Sequence, residues 1–213
     1  MFEKNIKRRG LMLILSSPSG AGKTTLANML LAIDAHTHPS ISYTTRKPRP
    51  GEVDKKDYFF VDESTFEKMI EEEAFLEYVY KFGNYYGTPK TQVEGFLSIG
   101  EDVVFDIDWH GNRALTAAAR EDVVSVFILP PSKVELRERL VKRAQDANET
   151  IELRLEKANS ELMHWHEYDY QIINKDLEES LKKLYSILRA ERLKKARRIG
   201  VVDFVNTLLA EVS

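Results

Sequence analysis

Four short segments of the chain are apolar at nearly every position rather than at every second one. Continuous apolarity of this kind is typical of strands buried on both faces, as in a parallel sheet covered by helices. The pattern predicts strands at residues 11–15, 103–107, 123–129 and 171–173. Segments with helical patterning lie between them, so the chain is predicted to fold as an α/β protein with a parallel sheet.

The predicted helices begin at recognisable sequence signals. Ser132, followed three residues later by Glu135, forms a capping-box pattern, which marks a helix start. Helices are expected after Gly22, over about residues 111–119, from Ser132, from near Thr150 and over about residues 176–198. Residues 201–209 are apolar at helical spacing and follow a basic run at 194–198. They predict a terminal helix docked on the domain, with a partner-binding helix as the alternative.

The stretch from about residue 36 to residue 91 breaks the alternation of strand and helix. Strand-like segments occur at residues 41–45, 58–61 and 75–81, with a turn at 82–84. Ser64 and Glu67 form a second capping-box pattern, which is expected to open a helix there. We interpret this stretch as a lobe inserted into the α/β core. A polar segment with basic ends, residues 139–154, is interpreted as a second insertion, a mobile lid.

Composition and charge narrow the class of protein. With 31 basic and 34 acidic residues and a formal net charge of −3, the chain is not expected to bind nucleic acid or a membrane surface. Its 213 residues include no cysteine, which excludes disulfides and thiolate zinc sites and favours a reducing compartment. The apolar run at residues 11–15 is too short for a signal peptide or a membrane span. These features predict a soluble, cytoplasmic protein.

The strongest local signal is the run Ser-Ser-Pro-Ser-Gly-Ala-Gly-Lys-Thr-Thr at residues 16–25. It follows a predicted strand and precedes a predicted helix, which is the context of a Walker-type phosphate loop. In such a loop the backbone amides bind phosphates, Lys23 neutralises the β- and γ-phosphates, and the Thr24 hydroxyl ligates Mg²⁺. Serine at position 17 replaces the glycine of the pattern, and because serine is small the loop is expected to persist. The loop residues expected to bind ATP are Ser17, Pro18, Ser19, Gly20, Ala21, Gly22, Lys23, Thr24 and Thr25.

A second anion site is indicated by Arg46 and Arg49, three residues apart on an extended segment. Two guanidinium groups fit a dianionic phosphate, since each binds phosphate oxygens bidentately. Asp106 and Asp108 lie at the end of a predicted buried strand, and ligands of open α/β sheets bind beyond the carboxyl ends of strands. A phosphate loop alone suits a kinase, a GTPase or an ATPase. The D-x-x-G at residues 108–111 favours a GTPase, but Asn-Lys-Asp at 174–176 lacks the spacing of the guanine-reading N-K-x-D motif.

Taken in order, these motifs resemble those of the guanylate kinases. The resemblance covers about residues 11–187 and rests on S-x-T-T-R-x-P-R-x-G-E from Ser42, K-D-Y-F-F from Lys56, F-x-E-Y from Phe75, G-N-Y-Y-G from Gly83 and D-I-D from Asp106. It implies a core at residues 10–35, 96–137 and 157–190, a GMP-binding lobe at 36–95, a lid at 138–156 and a helical tail at 191–213. It also implies an enzyme of purine nucleotide metabolism that transfers the γ-phosphate of ATP to GMP with Mg²⁺. A homo-oligomer is left open.

The resemblance also implies roles for single residues. The residues implied to hold the GMP phosphate are Arg46, Arg49, Tyr58 and Tyr86. Those implied to bind guanine are Glu77 and Asp108, which face its N–H groups, together with Ser42 and Thr88. The catalytic cations are Lys23 and three lid arginines, Arg139, Arg143 and Arg154. Asp106 is expected to reach the metal through water, Asn174 to line the adenine pocket, and His110 stands where the family usually has glutamine.

Two further alternatives follow from the same motifs. One is a kinase for a different nucleoside monophosphate. The other is a non-catalytic binding module of the guanylate kinase type, which usually lacks the phosphate-loop lysine or the lid arginines. Lys23 and the lid arginines are present here, so an active enzyme is the prediction.

Overall fold

The core of the protein is a five-stranded sheet in which every pairing is parallel. The computed structural model describes residues 6–81, 83–143 and 151–211, apart from the side chains of residues 142, 143, 151 and 154. The core strands are β1 (Met12–Ser16), β2 (Thr37–Pro39), β7 (Asp102–Asp106), β8 (Val123–Leu129) and β9 (Tyr170–Ile173), in the spatial order β2-β7-β1-β8-β9.

The central strand shows why continuous apolarity belongs to this sheet. All five residues of β1 are buried. Leu13 and Leu15 pack in one apolar cluster with residues of α1 (Lys23–Ile33) and α7 (Leu177–Arg192). Met12 and Ile14 face the opposite cluster, with residues of α3 (Lys90–Ser98) and α4 (Trp109–Ala119). Helices therefore cover both faces, and both sets of alternate side chains have to be apolar.

The last core strand departs from the sequence expectation. Residues 171–173 were expected to be buried on both faces, but β9 lies at the edge of the sheet. Ile172 is buried, whereas Ile173 is 58% exposed. Ile172 packs in the cluster that includes Leu184 and Leu188 of α7, and the opposite face of β9, with Ile173, is exposed.

A second, four-stranded sheet forms the inserted lobe. Its strands are β3 (Tyr43–Thr44), β4 (Phe59–Phe60), β5 (Phe75–Lys81) and β6 (Asn84–Pro89), in the order β4-β3-β6-β5. The lobe helix, α2 (Glu63–Glu71), is capped by Asp62, which accepts a hydrogen bond from the Thr65 amide at 2.7 Å. The capping box expected at Ser64 and Glu67 is therefore wrong, because the aspartate two residues earlier takes the N-cap position.

Two elements that lie wholly or partly inside the expected lobe range, residues 36–95, pack with the core. Strand β2 pairs with β7 in the core sheet, and α3 contributes Val93 and Leu97 to a core cluster. Neither element was predicted from the sequence, because β2 is three residues long and α3 has little apolar periodicity.

The remaining helices follow β8 along the chain. They are α5 (Lys133–Arg143), α6 (Ile151–Leu162) and α8 (Val201–Ala210), with a short 3₁₀ helix at Trp165–Glu167. The predicted cap of α5 is present, since the Ser132 hydroxyl accepts from the Glu135 amide at 3.1 Å. The helix expected over residues 176–198 ends at Arg192, so the basic run after it is not helical. In the described part of the chain, no helix is long and apolar enough to cross a membrane.

Candidate active site

The phosphate loop connects β1 to α1 and borders a cavity of about 740 Å³. Gly20 and Gly22 have φ angles of +87° and +98°, which side chains rarely permit. Gly22 is also the N-cap of α1, so the helix points its N-terminus, with its partial positive charge, at the cavity. The cavity is lined by Ser17, Pro18, Ser19, Gly20, Gly22, Lys23, Thr24, Thr25, Asp106, Arg139, Glu161, Asn174, Lys175, Asp176 and Leu177.

Serine is compatible with the backbone at position 17. Among the described residues, Lys55 and Glu73 are the non-glycine residues with positive φ, so Ser17 does not need glycine's conformational freedom. Its hydroxyl donates to the carbonyl of Pro18 at 2.9 Å. The loop therefore keeps its form despite this departure from the common pattern.

The lysine of the loop is held by the end of strand β7. Lys23 Nζ lies 2.5 Å from Asp106 Oδ1 and donates to the carbonyl of Ile107 at 3.2 Å. This is possible because Leu15 of β1 pairs in register with Asp106. The parallel pairing thus brings the phosphate-loop cation and the strand-end carboxylate to the same edge of the sheet.

Asn174 braces the phosphate loop from the end of β9. Its side chain is buried, and Nδ2 donates to the carbonyl of Ala21 at 2.7 Å. A Cβ built on Gly22 would lie 2.4 Å from that nitrogen. Asn174 borders the cavity, as expected for an adenine-pocket residue, but its amide nitrogen is committed to the loop.

Of the three arginines expected to be catalytic, Arg139 has a described side chain. Arg139 borders the cavity and donates to the carbonyl of Asn174 at 3.3 Å, with Glu135 at 3.2 Å on the same helix. The side chains of Arg143 and Arg154, like residues 144–150 of the expected lid, lie outside the described part of the protein.

Glu161, on α6, is a cavity residue that the sequence analysis missed. Its Oε2 accepts a hydrogen bond from the backbone N–H of Ser19 at 3.0 Å. Burial raises the pKa of this carboxyl above its ordinary value, while the Ser19 amide and Lys23 act in the opposite direction. One backbone N–H of the loop that is expected to bind phosphate therefore already donates its hydrogen bond to a protein carboxylate.

The expected phosphate-binding arginine of the lobe is prearranged by a carboxylate. Arg46 forms two hydrogen bonds with Glu52, each 2.9 Å long. Its guanidinium also lies 5.4 Å from the ring centre of Tyr58, which is 6.3 Å from that of Tyr86. Arg49 is exposed, and its backbone amide donates to Glu52. The lobe therefore brings Arg46, Tyr58 and Tyr86 together, and Arg49 reaches into solvent beside them.

Glu77 and Thr88 face each other across β5 and β6. The Thr88 hydroxyl donates to Glu77 Oε1 at 2.7 Å. Glu77 Oε2 is buried and has no hydrogen-bond partner among the described residues. Burial raises the pKa of Glu77 above its ordinary value. A buried acceptor without a partner is the kind of group that a ligand N–H satisfies.

Asp108 is the N-cap of α4, and a lysine of the lobe holds it. Its Oδ1 accepts from the Gly111 amide at 3.2 Å, and its Oδ2 lies 2.5 Å from Lys81 Nζ. Burial is the largest single influence on the pKa of Asp108 and would raise it, but the hydrogen bond and charge of Lys81, with the Gly111 amide and His110, together hold the pKa below its ordinary value. Lys81, at the end of β5, is a second residue that the sequence analysis missed.

The two remaining sequence candidates lie at the margins of the acceptor site. Ser42 is half-buried, and its carbonyl accepts from the Phe59 amide at 2.9 Å, which joins β3 to β4. His110 stacks on Trp109 with ring centres 3.4 Å apart, and its Nδ1 is 3.6 Å from Asp108 Oδ2. His110 therefore borders Asp108 without replacing either of its closer partners.

The cavity contains oxygen ligands that suit Mg²⁺. Thr24 and Asp106 both line it, and a hydroxyl and a carboxylate are the hard oxygen donors that Mg²⁺ prefers. No group of three or more His, Cys, Asp or Glu side chains that could hold a metal occurs among the described residues. This donor set fits an ion that is bound mainly by nucleotide phosphates and water, with one or two protein ligands.

Comparison with known proteins finds relatives that match nearly the full length of the chain. The model of the family described as "Guanylate kinase" matches residues 9–191. The chain is 53% identical over 207 residues to "Guanylate kinase" of Bradyrhizobium diazoefficiens, covering 97% of this chain and 94% of that protein. It is 52% identical over 203 residues to "Guanylate kinase" of Paramagnetospirillum magneticum, with 95% of each covered. The crystal structure of guanylate kinase from Anaplasma phagocytophilum is similar, with a TM-score of 0.75, 37% identity, and coverage of 95% of this chain and 96% of that one.

Proposed function

The chain belongs to the guanylate kinase family and is an enzyme that phosphorylates GMP with ATP, and on that premise we propose how its residues perform the reaction. The observation that carries the proposal concerns Asp106 and Asp108, two residues apart at the end of β7. Asp106 pairs with Lys23 of the phosphate loop, and Asp108 pairs with Lys81 of the lobe. One strand end therefore joins a donor site to an acceptor site.

The donor site binds ATP through the phosphate loop. The amides at the N-terminus of α1 bind the β-phosphate, and Lys23 neutralises the β- and γ-phosphates. Thr24 and Asp106, the latter through water, would hold Mg²⁺, which supplies charge neutralisation on the phosphate oxygens. Asn174 keeps the loop in shape through Ala21 and borders the adenine.

The acceptor site binds GMP within the lobe. Arg46 and Arg49, with the hydroxyls of Tyr58 and Tyr86, hold its phosphate, for which guanidinium groups are suited. Glu77 and Asp108 accept the N1–H and amino hydrogens of guanine, and Ser42 and Thr88 complete the contacts to the base. Glu77 Oε2, which is buried and has no partner among the described residues, supports this role.

Transfer is an in-line displacement. A phosphate oxygen of GMP forms a bond to the γ-phosphorus, and the bond from that phosphorus to the β–γ bridging oxygen breaks, giving GDP and ADP. No side-chain nucleophile is required, because the acceptor oxygen is already anionic. The protein positions two anions and neutralises their charge. Lys23 acts from the loop, and Arg139, with Arg143 and Arg154, acts from the opposite side.

Release of ADP in a coupled assay, with GMP, dGMP, AMP and UMP as acceptors, tests this proposal. GMP is expected to be the preferred acceptor. A preference for AMP or UMP would indicate a different nucleoside monophosphate kinase. Absence of ADP release with every acceptor would indicate a non-catalytic binding module and refute the proposed mechanism.

The setting of the reaction is part of the same proposal. ATP and GMP are metabolites of the cell interior, which supports a cytoplasmic location and a role in purine nucleotide metabolism. Cell fractionation with an antibody to the chain tests the location. Sedimentation at micromolar concentration tests whether the protein is a monomer or a homo-oligomer.

A further inference from the structure

Lys81 lies between the groups proposed to bind GMP. Its ammonium is 2.5 Å from Asp108 Oδ2 and 5.6 Å from the ring centre of Tyr86. Side chains alternate along a strand, so Lys81 and Glu77, four residues apart on β5, share one face of the sheet. Burial raises the pKa of Glu77, and the positive charge of Lys81 acts in the opposite direction, so the two side chains interact electrostatically.

The groups proposed to bind the guanine base are mostly hydrogen-bond acceptors, and the donors among them are the hydroxyls of Ser42 and Thr88. When ionised, Glu77 and Asp108 can accept hydrogen bonds but cannot donate them, and the hydroxyl proton of Thr88 is donated to Glu77. Guanine offers donors at N1 and at the 2-amino group, which these acceptors satisfy. Its O6, on the same edge, is an acceptor and needs a donor from the protein. An ammonium has three N–H bonds, of which Lys81 uses one for Asp108.

We propose that Lys81 is a specificity-determining residue that donates a hydrogen bond to O6 of guanine while it keeps its contact with Asp108. The inference rests on the proposed GMP site. It adds a partner for O6, the third polar group on the guanine edge after N1–H and the 2-amino group. A lysine at O6 is a favourable pairing, since lysine and arginine are the residues that most often read this atom in nucleic acids.

The same contact disfavours adenine. Adenine carries an amino group at position 6, whose hydrogens would face the Lys81 ammonium, and an acceptor at N1, which would face a carboxylate. Both mismatches leave buried or half-buried polar groups without partners, and such mismatches account for large discrimination between substrates. Lys81 and the two carboxylates therefore select guanine through complementary requirements.

The test compares acceptors that differ at one atom of the base. GMP and IMP both carry O6, whereas 6-thio-GMP replaces it with sulfur, a weak acceptor, and keeps N1–H and the amino group. In Lys81→Met, kcat/KM for GMP and for IMP is expected to fall by about 10- to 100-fold, as for the loss of one charge-assisted hydrogen bond. The fall for 6-thio-GMP is expected to be at least about fivefold smaller, because its contact at position 6 is already weak.

Equal losses for all three acceptors would overturn the proposal, since they would mean that Lys81 acts only by positioning Asp108. A loss specific to GMP and IMP in Ser42→Ala, and not in Lys81→Met, would assign O6 to Ser42 instead. Lys81→Arg, which keeps donors and charge, is expected to retain most of the preference for GMP over 6-thio-GMP. Lys68→Met, which removes an exposed lobe lysine paired with Glu72, is the matched control and is expected to behave as wild type.

These outcomes are separable from failure of the proposed function. If wild type released no ADP with GMP, the function itself would be wrong. Calorimetric titration of GMP into each variant would then still report whether Lys81 contributes to binding. A fall in GMP affinity in Lys81→Met that 6-thio-GMP does not share supports the O6 contact, and equal affinities for wild type and variant contradict it.

Discussion

The backbone N–H of Ser19, inside the phosphate loop, donates a hydrogen bond to Glu161 Oε2 at 3.0 Å. The two residues are 142 positions apart in the chain. Glu161 belongs to α6, which packs with α5 through Leu140 and Ala158. The structure thus places a carboxylate where the loop is expected to bind the phosphates of ATP. The negative charge of Glu161 is therefore expected to repel the ATP phosphates.

Glu161→Gln is expected to tighten ATP binding. Removing a negative charge about 4 Å from the phosphates lowers repulsion by about 1 kcal/mol even at the dielectric constant of water, about 80, which corresponds to at least about fivefold in Kd. Calorimetric titration with a non-hydrolysable ATP analogue measures the change. Glu156→Gln, an exposed glutamate on the same helix, is the control and should leave Kd unchanged. Weaker binding in Glu161→Gln would show that the carboxylate supports the nucleotide.

Lys23→Met is expected to abolish turnover and leave the fold intact. Lys23 is the cation of the phosphate loop, and groups that stabilise charge in phosphoryl transfer contribute several kcal/mol to the rate. Initial rates of ADP release with GMP, together with circular dichroism, measure the two effects. Activity above about a tenth of wild type would contradict the assigned role.

Glu77→Gln is expected to lower kcat/KM for GMP by about a hundredfold or more, because an amide turns a donor toward guanine or loses the charge-assisted bond. Wild type is expected to prefer GMP over AMP by at least about a thousandfold. Steady-state kinetics with both acceptors measures each value. Comparable turnover of AMP and GMP would refute the assignment of Glu77 and Asp108 to the base.

Arg113→Met is expected to flatten the loss of stability in acid. The hydrogen bonds from Arg113, with a smaller contribution from His164, lower the pKa of Glu167 to about 2, from an ordinary value of 4.5. A carboxyl whose folded pKa is depressed stabilises the protein above its unfolded pKa, and this is lost as pH falls toward the folded pKa. The difference between wild type and variant should therefore be largest above pH 4.5 and shrink toward pH 2.

Urea unfolding at a series of pH values measures that difference. Lys182→Met removes an exposed lysine paired with Glu179 within one helix and serves as the control. Exposed pairs of this kind contribute little. A constant difference between wild type and Arg113→Met across the acid range would contradict the linkage to Glu167.

Strands β1, β7 and β8 could be predicted from the sequence because burial on both faces leaves a continuous apolar run. The run at residues 123–129 coincides with β8, and the other core predictions lie within one residue of the observed bounds. Short elements were not predicted. Strand β2 has three residues, and it is defined by its pairing with β7. The start of α2 was misassigned, since Asp62, Ser64 and Thr65 all have cap chemistry and the backbone decides among them.

The candidate site divides in the same way. The phosphate loop is a local motif, so its ten residues and the conformation of Gly20 and Gly22 follow from neighbouring positions. Arg46, Tyr58, Glu77 and Asp108 were named through an ordered set of motifs, and the contacts that engage them in the structure come from Glu52, Thr88 and Lys81. Glu52 ends the motif that begins at Ser42 and Thr88 follows the motif that begins at Gly83, but no pattern along the chain marks Lys81.

The sequence by itself determined the class of fold, the phosphate loop and the family, because each depends on residues close together or in a fixed order. The tertiary structure alone decided the pairings of Lys23 with Asp106, Lys81 with Asp108 and Ser19 with Glu161. These contacts depend on strand register and helix packing, which bring distant segments to one edge of the sheet. Which charged groups pair at the site therefore depends on neighbours in three dimensions, and it cannot be predicted from composition or from spacing along the chain.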